Sequence, residues 1–223
     1  MTVFAFDAKI NHRIYKKDSP DFIVVMNNDV MIEQADFLER IEASYEKNRF
    51  AILGPDVFST KTRQHQNPQR MENYTLRELE QAEKKLAFKN RHKWLLRIKY
   101  LFPQSKAPVH AAPFINETLE NVVLHGACYV FSKDFIQAHD DCFYDKTFMY
   151  YESYILHYLA GAEGLKMVYD PSVKVVHHED VSTNQAHGTM YRKAVFVNRC
   201  LLDSCRAFLD VLRQRGSELE RTE

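Results

Sequence analysis

Glycine is scarce in this sequence, with six in 223 residues. None forms a G-x-G-x-x-G or G-x-x-x-x-G-K-[ST] run, so phosphotransfer or nucleotidyl transfer built on a phosphate-cradling loop is disfavoured. Cysteine is also sparse. Cys128, Cys142, Cys200 and Cys205 form no C-x-x-C pair and no zinc-like spacing with histidine. They read as buried thiols of a reducing cytosol. Excess charge of either sign is missing too. Lys plus Arg and Asp plus Glu both total 30, so the whole chain offers no electrostatic footprint for nucleic acid, and none is expected as a partner. No run approaches the ~20 apolar residues that span a bilayer. Residues 1–10 lack the basic start and apolar run of a signal peptide. The expectation is a cytoplasmic protein, soluble or peripheral on the inner face of the membrane.

What is present reads as a folded α/β chain. Hydrophobic residues make up 45%, enough for a packed core. Residues 21–27 (DFIVVMN) are a short β-branched run, as in a strand buried on both faces, and they stop at Asn27-Asn28-Asp29. A helix is predicted over 34–47, with Phe37, Leu38, Ile41 and Tyr45 on one side. A second strand is predicted over 51–58 and a long helix over 75–102, ended by Pro103 and Pro108. A third apolar run covers 122–131. Ser132 is a plausible cap for a short helix over 133–139. A helix from Glu152 to Ala160 and strands over 166–169 and 173–176, flanking Asp170-Pro171, come next. A final amphipathic helix covers 189–215.

Three constellations carry chemistry. Asp29 lies just past a buried strand, where α/β sheets bind ligands, and its oxygens suit a hard divalent cation. An ordinary Asn-rich turn ending the strand is the commoner reading of this motif alone. Glu152 opens a helix after Phe148, Tyr150 and Tyr151. It reads as a general base, or as a carboxylate that the helix dipole favours. His177 ends a strand and can complete a metal site, or it can be a half-buried histidine with a backbone partner. Alternation turns His178 the other way, and Glu179 and Asp180 read as outer partners or surface charges.

In combination the sequence resembles glycosyltransferase family 2 proteins, notably bacterial rhamnosyltransferase-like and cell-surface polysaccharide enzymes. The resemblance rests on DFIVVMNNDV (21–30), ILGPDVF (52–58), HQNP (65–68), VLHGACYVFS (123–132), FYDKTFMYYESYIL (143–156) and YDPSVKVVHHEDVSTN (169–184). It implies an α/β fold: a partial GT-A, Rossmann-like mixed sheet flanked by helices, with a basic helical insertion over 75–102 and the C-terminal helix. One such domain would occupy 1–223. It implies an inverting transfer of a sugar from a nucleotide-sugar donor to a glycan or lipid-linked saccharide. Asp29 and His177 would hold Mn²⁺ or Mg²⁺. Asn27, Asn28, His125, Gly126, Ala127 and Tyr151 would line the donor–acceptor cleft, and Glu152 would be the catalytic base.

Two departures from the family pattern stand out. The family's acidic motif has two adjacent carboxylates, and Ser153 occupies the second position here. Family members also begin with a strand–helix repeat that binds base and ribose, whereas residues 4–14 resemble the segment just before the NND strand. The resemblance therefore implies a partial nucleotide site and an apolar sheet edge that a second chain or a homodimer partner covers. The alternative is a non-catalytic remnant or subunit that binds glycan or another chain.

Residues 84–99 hold seven Lys or Arg and no acid, with Trp94 among them. They read either as a solvated helix packed on the sheet or as an interfacial helix on a membrane surface.

Overall fold

The computed structural model describes residues 2–5, 19–99, 114–147, 149–178 and 190–219. The chain divides into two compact units, one drawn from Met1–Asn73, Val109–Asp145 and Leu156–Asp180, the other from Tyr74–Pro108, Lys146–Ile155 and Val181–Glu223.

The first unit is a mixed sheet with helices. Its strands are β1 (Thr2–Ala5), β2 (Phe22–Met26), β3 (Val30–Met31), β4 (Ile52–Ser59), β5 (Gln64–His65), β6 (Leu119–Glu120), β7 (Cys128–Ser132) and β8 (Met167–His177). The main order is β1-β2-β7-β4-β8-β3, with β5 on β4 and β6 on β8. β1 runs parallel to β2 and β4 parallel to β8, while β7 is antiparallel to both β2 and β4. By that pairing β1, β2, β4 and β8 all point the same way, so the carboxyl ends of β2 and β8 lie at one end of the sheet.

Strand alternation builds two cores. Phe22, Val24 and Met26 face one cluster, with Cys128 and Val130, against α1 (Phe37–Asn48). Ile23 and Val25 face the other, with Tyr129 and Phe131, against α4 (Lys133–Ala138) and the Leu156 and Ala160 face of α5 (Glu152–Ala162). Each such apolar side chain contributes about 1.5–3 kcal/mol by leaving water. That is why the run over 21–27 needs no polar face.

Several expected boundaries shift, each for a local reason. Leu38 is 40% exposed, and Ser44 joins Phe37, Ile41 and Tyr45 on the buried side of α1. The run over 122–131 is a strand only from Cys128, because His125-Gly126-Ala127 forms a turn in which Nδ1 of His125 accepts the Ala127 N–H at 3.2 Å. Ser132 is the N-cap of α4 by position, but its Oγ accepts no capping bond and is buried without a partner. Asp170-Pro171 does not divide the last strand. Asp170 Oδ1 accepts the Ser172 N–H at 2.9 Å. The Gln34 amide donates to Ser172 O at 2.9 Å and accepts the Lys174 N–H at 2.8 Å in the stretch where β8 pairs with neither β6 nor β3, and the ladder with β4 resumes past its bulge at Lys174.

The second unit is helical. The stretch expected as one helix is two, α2 (Leu76–Arg91) and α3 (Lys93–Lys99), and residues 100–102 lie outside the described residues. Asn90 donates its side-chain amide to Leu86 O at 2.9 Å and Asn198 O at 2.8 Å, a back-bonding that competes with the helix ladder just before the break at His92. Thr75 and Glu78 form a capping box at the start of α2. Leu79 and Leu86 of α2 are buried, as are Cys205, Phe208 and Leu209 of α6 (Met190–Leu219). Glu83 pairs with Arg206 at 2.8 Å and Glu80 with Arg213 at 3.3 Å. Among the described residues no helix is long and apolar enough to cross a membrane.

Candidate functional site

The end of β2 and the end of β8 converge on one acidic pair. The N–H of Asn27 donates to Ala127 O at 2.9 Å, continuing the β2–β7 ladder by one step. Asp29 follows in a turn, and its carbonyl accepts the His178 N–H at 2.9 Å. This fixes the Asp29 side chain beside His177, which also pairs in register with Val30 and Ser59. Asp29 Oδ1 lies 3.3 Å from His177 Nε2, and both side chains are nearly buried, at 13% and 10% exposed. Yet Oδ1 makes no hydrogen bond.

The other face of the imidazole explains that orphan. Nδ1 of His177 donates to Gln66 Oε1 at 2.8 Å. In a neutral ring this leaves Nε2 without a proton, 3.3 Å from a carboxylate oxygen to which it is not hydrogen-bonded. Two acceptors in that position repel unless a proton or a cation lies between them. Cis ligands of one divalent ion, each at about 2.1 Å, sit about 3 Å apart. An imidazole and a carboxylate are both ligand types that a divalent ion can take. Among the described residues no group of three or more His, Cys, Asp or Glu is arranged to hold a metal. Two such ligands would leave most coordination positions of a divalent ion open.

His125 stands next to the pair, its ring centroid 6.0 Å from that of His177. Its backbone N–H donates to Asn67 Oδ1 at 3.0 Å, and Asn67 Nδ2 donates to Pro55 O at 2.7 Å. Gly54 makes that bridge feasible: a Cβ there would lie 2.6 Å from Asn67 Nδ2 and 2.7 Å from Leu124 Cδ2. Asn27, Asp29, His125, Ala127 and His177 are thus brought together by bonds and ring contact. Asn28 and Gly126 are exposed in the adjoining turns. Thr60 Oγ1 lies 3.3 Å from His178 Nδ1 in an exposed contact. Glu179 and Asp180 lie outside the described residues.

Glu152 and Tyr151 belong to the second unit. Tyr150 and Tyr151 take φ of +69° and +62° immediately before Glu152. Bulky side chains rarely adopt that left-handed region, and each instance costs of order 1–3 kcal/mol. Packing supports the geometry. The Tyr151 ring lies 5.8 Å from Tyr74 and from Tyr154 and 6.4 Å from Phe208, and burial raises its hydroxyl pKa. Phe148 lies outside the described residues.

Four residues of the first unit were not singled out as functional from the sequence. Asp56 on β4 is buried, and His65 Nδ1 meets its Oδ1 at 2.7 Å. Burial lifts the Asp56 carboxyl above its ordinary value, against the opposite pull of His65. Together with Gln66 and Asn67 this makes three successive side chains, each engaged with a different strand or turn of the site. The available signal was the polar tripeptide itself, trapped between β5 and Pro68. The thiol of Cys128, one residue from Ala127, is pushed up to about 12 by burial and is inert near neutral pH. A cavity of about 230 Å³ lined by Phe135, His139, Phe143, Leu156 and Glu163 contains none of the expected site residues.

No protein-family model matches the chain, and no curated protein sequence matches it.

Proposed function

We propose that this chain is a sugar-transfer protein: an inverting glycosyltransferase that moves a sugar from a nucleotide-sugar donor to a glycan or lipid-linked saccharide acceptor in cell-surface polysaccharide synthesis. The observation that supports it best is the buried, unbonded Asp29 Oδ1 facing His177 Nε2 at 3.3 Å, at the carboxyl ends of parallel strands. Asp29 and His177 would hold a divalent metal. When bound, that metal supplies positive charge against a diphosphate leaving group. Asn27 and Asn28 would contact the nucleotide, and His125, Gly126 and Ala127 would contact sugar. Glu152 would take the proton from the acceptor hydroxyl.

Thermal unfolding with Mn²⁺ or Mg²⁺ and a panel of UDP, GDP, dTDP and CDP tests this reading. A ligand at one hundred times its Kd adds about 2.7 kcal/mol, or about 6 °C for a chain of this size. The expected result is a metal-dependent shift with one nucleotide, abolished by Asp29→Ala and retained by Glu152→Gln. With donor and acceptor present, Glu152→Gln should lower transfer by about 10²–10⁴. The absence of a shift with every nucleotide would sink the transferase reading in favour of a non-catalytic remnant or subunit, the reading to which Ser153 already points.

A further inference from the structure

We propose that the outward face of the C-terminal half of α2, continued by α3, is a docking surface for an anionic lipid bilayer. Three observations carry it. The first is an apolar display in the wrong place for a core. Phe88 is 57% exposed, Trp94 59%, Leu95 39% and Ile98 46%. Phe88 is nine residues beyond the buried Leu79, which at 100° per residue is the opposite side of α2. Trp94 and Ile98 are four apart and share one face of α3.

The second observation is charge. Lys85, Lys89, Arg91, Lys93 and Arg97 are exposed between these side chains, and among the described residues none is held in an ion pair. No acid occurs from residue 84 to residue 99, nor from 190 to 202 along α6. The acids of α2 end at Glu83, and Glu80 and Glu83 are already engaged with Arg213 and Arg206. The second unit is therefore polarised, with paired acids toward one part of α2 and an uncompensated basic region at the other.

The third observation is the interleaving. A surface of lysine and arginine alone would suit any polyanion. Leu95 and Ile98 gain nothing from a phosphate backbone, but they gain from leaving water at a headgroup boundary, where tryptophan also sits well. Self-association through this face is disfavoured, because two copies would bring like charges together. Basic residues near such a surface each add about 1 kcal/mol, and the attraction fades with salt. No spanning helix is involved.

The chain contains one tryptophan, Trp94, so its emission reports directly from the proposed face. The full-length protein is mixed with vesicles of pure phosphatidylcholine and with vesicles about one third phosphatidylglycerol, at low and high salt. Co-sedimentation and Trp94 emission are read together. The proposal expects binding to the anionic vesicles, a blue shift of Trp94, loss of both at high salt, and little of either on the neutral vesicles. Lys93→Gln with Arg97→Gln should weaken binding about tenfold or more. Ile98→Ala should weaken it several-fold, and both variants should keep the fold intact by circular dichroism, since all three residues are exposed. The absence of anionic vesicle binding would overturn the proposal, as would sedimentation without a Trp94 shift. So would binding to single-stranded RNA that matches or exceeds vesicle binding in the same buffer, which would assign the face to nucleic acid.

Discussion

The sheet unit holds two buried carboxylates beside histidines, and they differ in what they lack. Asp56 meets Nδ1 of His65 at 2.7 Å in a true hydrogen bond. Asp29 faces Nε2 of His177 at 3.3 Å, and its nearer oxygen bonds to nothing. The residue types are the same in both pairs, although His65 is more open to water than His177 and Asp29 more open than Asp56. The difference lies in which nitrogen is turned toward the acid and what holds the other one. His177 has already committed Nδ1 to Gln66. A satisfied pair rigidifies the sheet, whereas an unsatisfied one costs free energy until something binds. The comparison teaches that the candidate site is recognised by the missing bond rather than by the presence of Asp and His.

The harshest way to break the comparison is to remove what supports both pairs. Asn67→Ala frees the buried His125 N–H and Pro55 carbonyl together and loosens the segment that carries His65 and Gln66. At about 1–3 kcal/mol for each stranded group, a loss of about 2–4 kcal/mol is expected. A lowered urea midpoint with an unchanged slope checks it.

A smaller effect sharpens the contrast. His65→Ala leaves Asp56 buried without its partner, and because His65 is partly open to water the expected loss is about 2 kcal/mol at pH 7. Asp56 has a raised pKa in the folded protein, from burial first, so the folded state holds its proton more tightly than the unfolded chain does. Stability from this group is complete below the ordinary value of 3.8 and declines as pH rises through the folded value. Removing His65 deletes both its hydrogen bond and its charge, leaving only Lys174 to pull against burial, so it raises that value further. The cost of His65→Ala should therefore shrink toward pH 4 and grow toward neutrality. Unfolding curves at pH 4 and pH 7 that show equal costs would refute this account of the satisfied pair.

Much of the sheet could be read in advance because burial on both faces leaves a continuous apolar record. β2 over FIVVM is the clearest case, and β4 agrees within a residue at each end. The break between α2 and α3 was hidden because it depends on Asn90 reaching Asn198, more than one hundred residues away. The continuity of β8 through Asp170-Pro171 was hidden for a similar reason, since β4 pairs with it on both sides of the bulge and Gln34 bonds its backbone from a distant segment. At the site, the strand-end positions of Asp29 and His177 were legible, and the structure sets the two side chains 3.3 Å apart. Gln66 was not, because a glutamine in a polar turn carries no periodicity, and its partner follows only from the register of β4 with β8.

The gentlest test falls on Gln66, and it separates the two pairs most cleanly. An amide oxygen that holds Nδ1 of a ligand histidine fixes its tautomer and orientation, and losing such a support typically weakens metal binding 10–100-fold. Gln66→Ala removes that support while leaving the Asp56–His65 bond and both Asn67 bonds in place. Its cost to the metal-free fold should stay within about 1 kcal/mol, the net worth of one hydrogen bond. The Mn²⁺ concentration needed for a nucleotide-dependent shift in Tm should rise about tenfold or more. Gln66→Glu should restore the midpoint, since a carboxylate also accepts from Nδ1 and makes Nε2 a better donor to a cation. A Gln66→Ala protein as unstable as Asn67→Ala would make Gln66 a structural tie like its neighbours. An unmoved Mn²⁺ midpoint would separate His177 from the metal, leaving Asp29 as an orphan without a ligand to explain it.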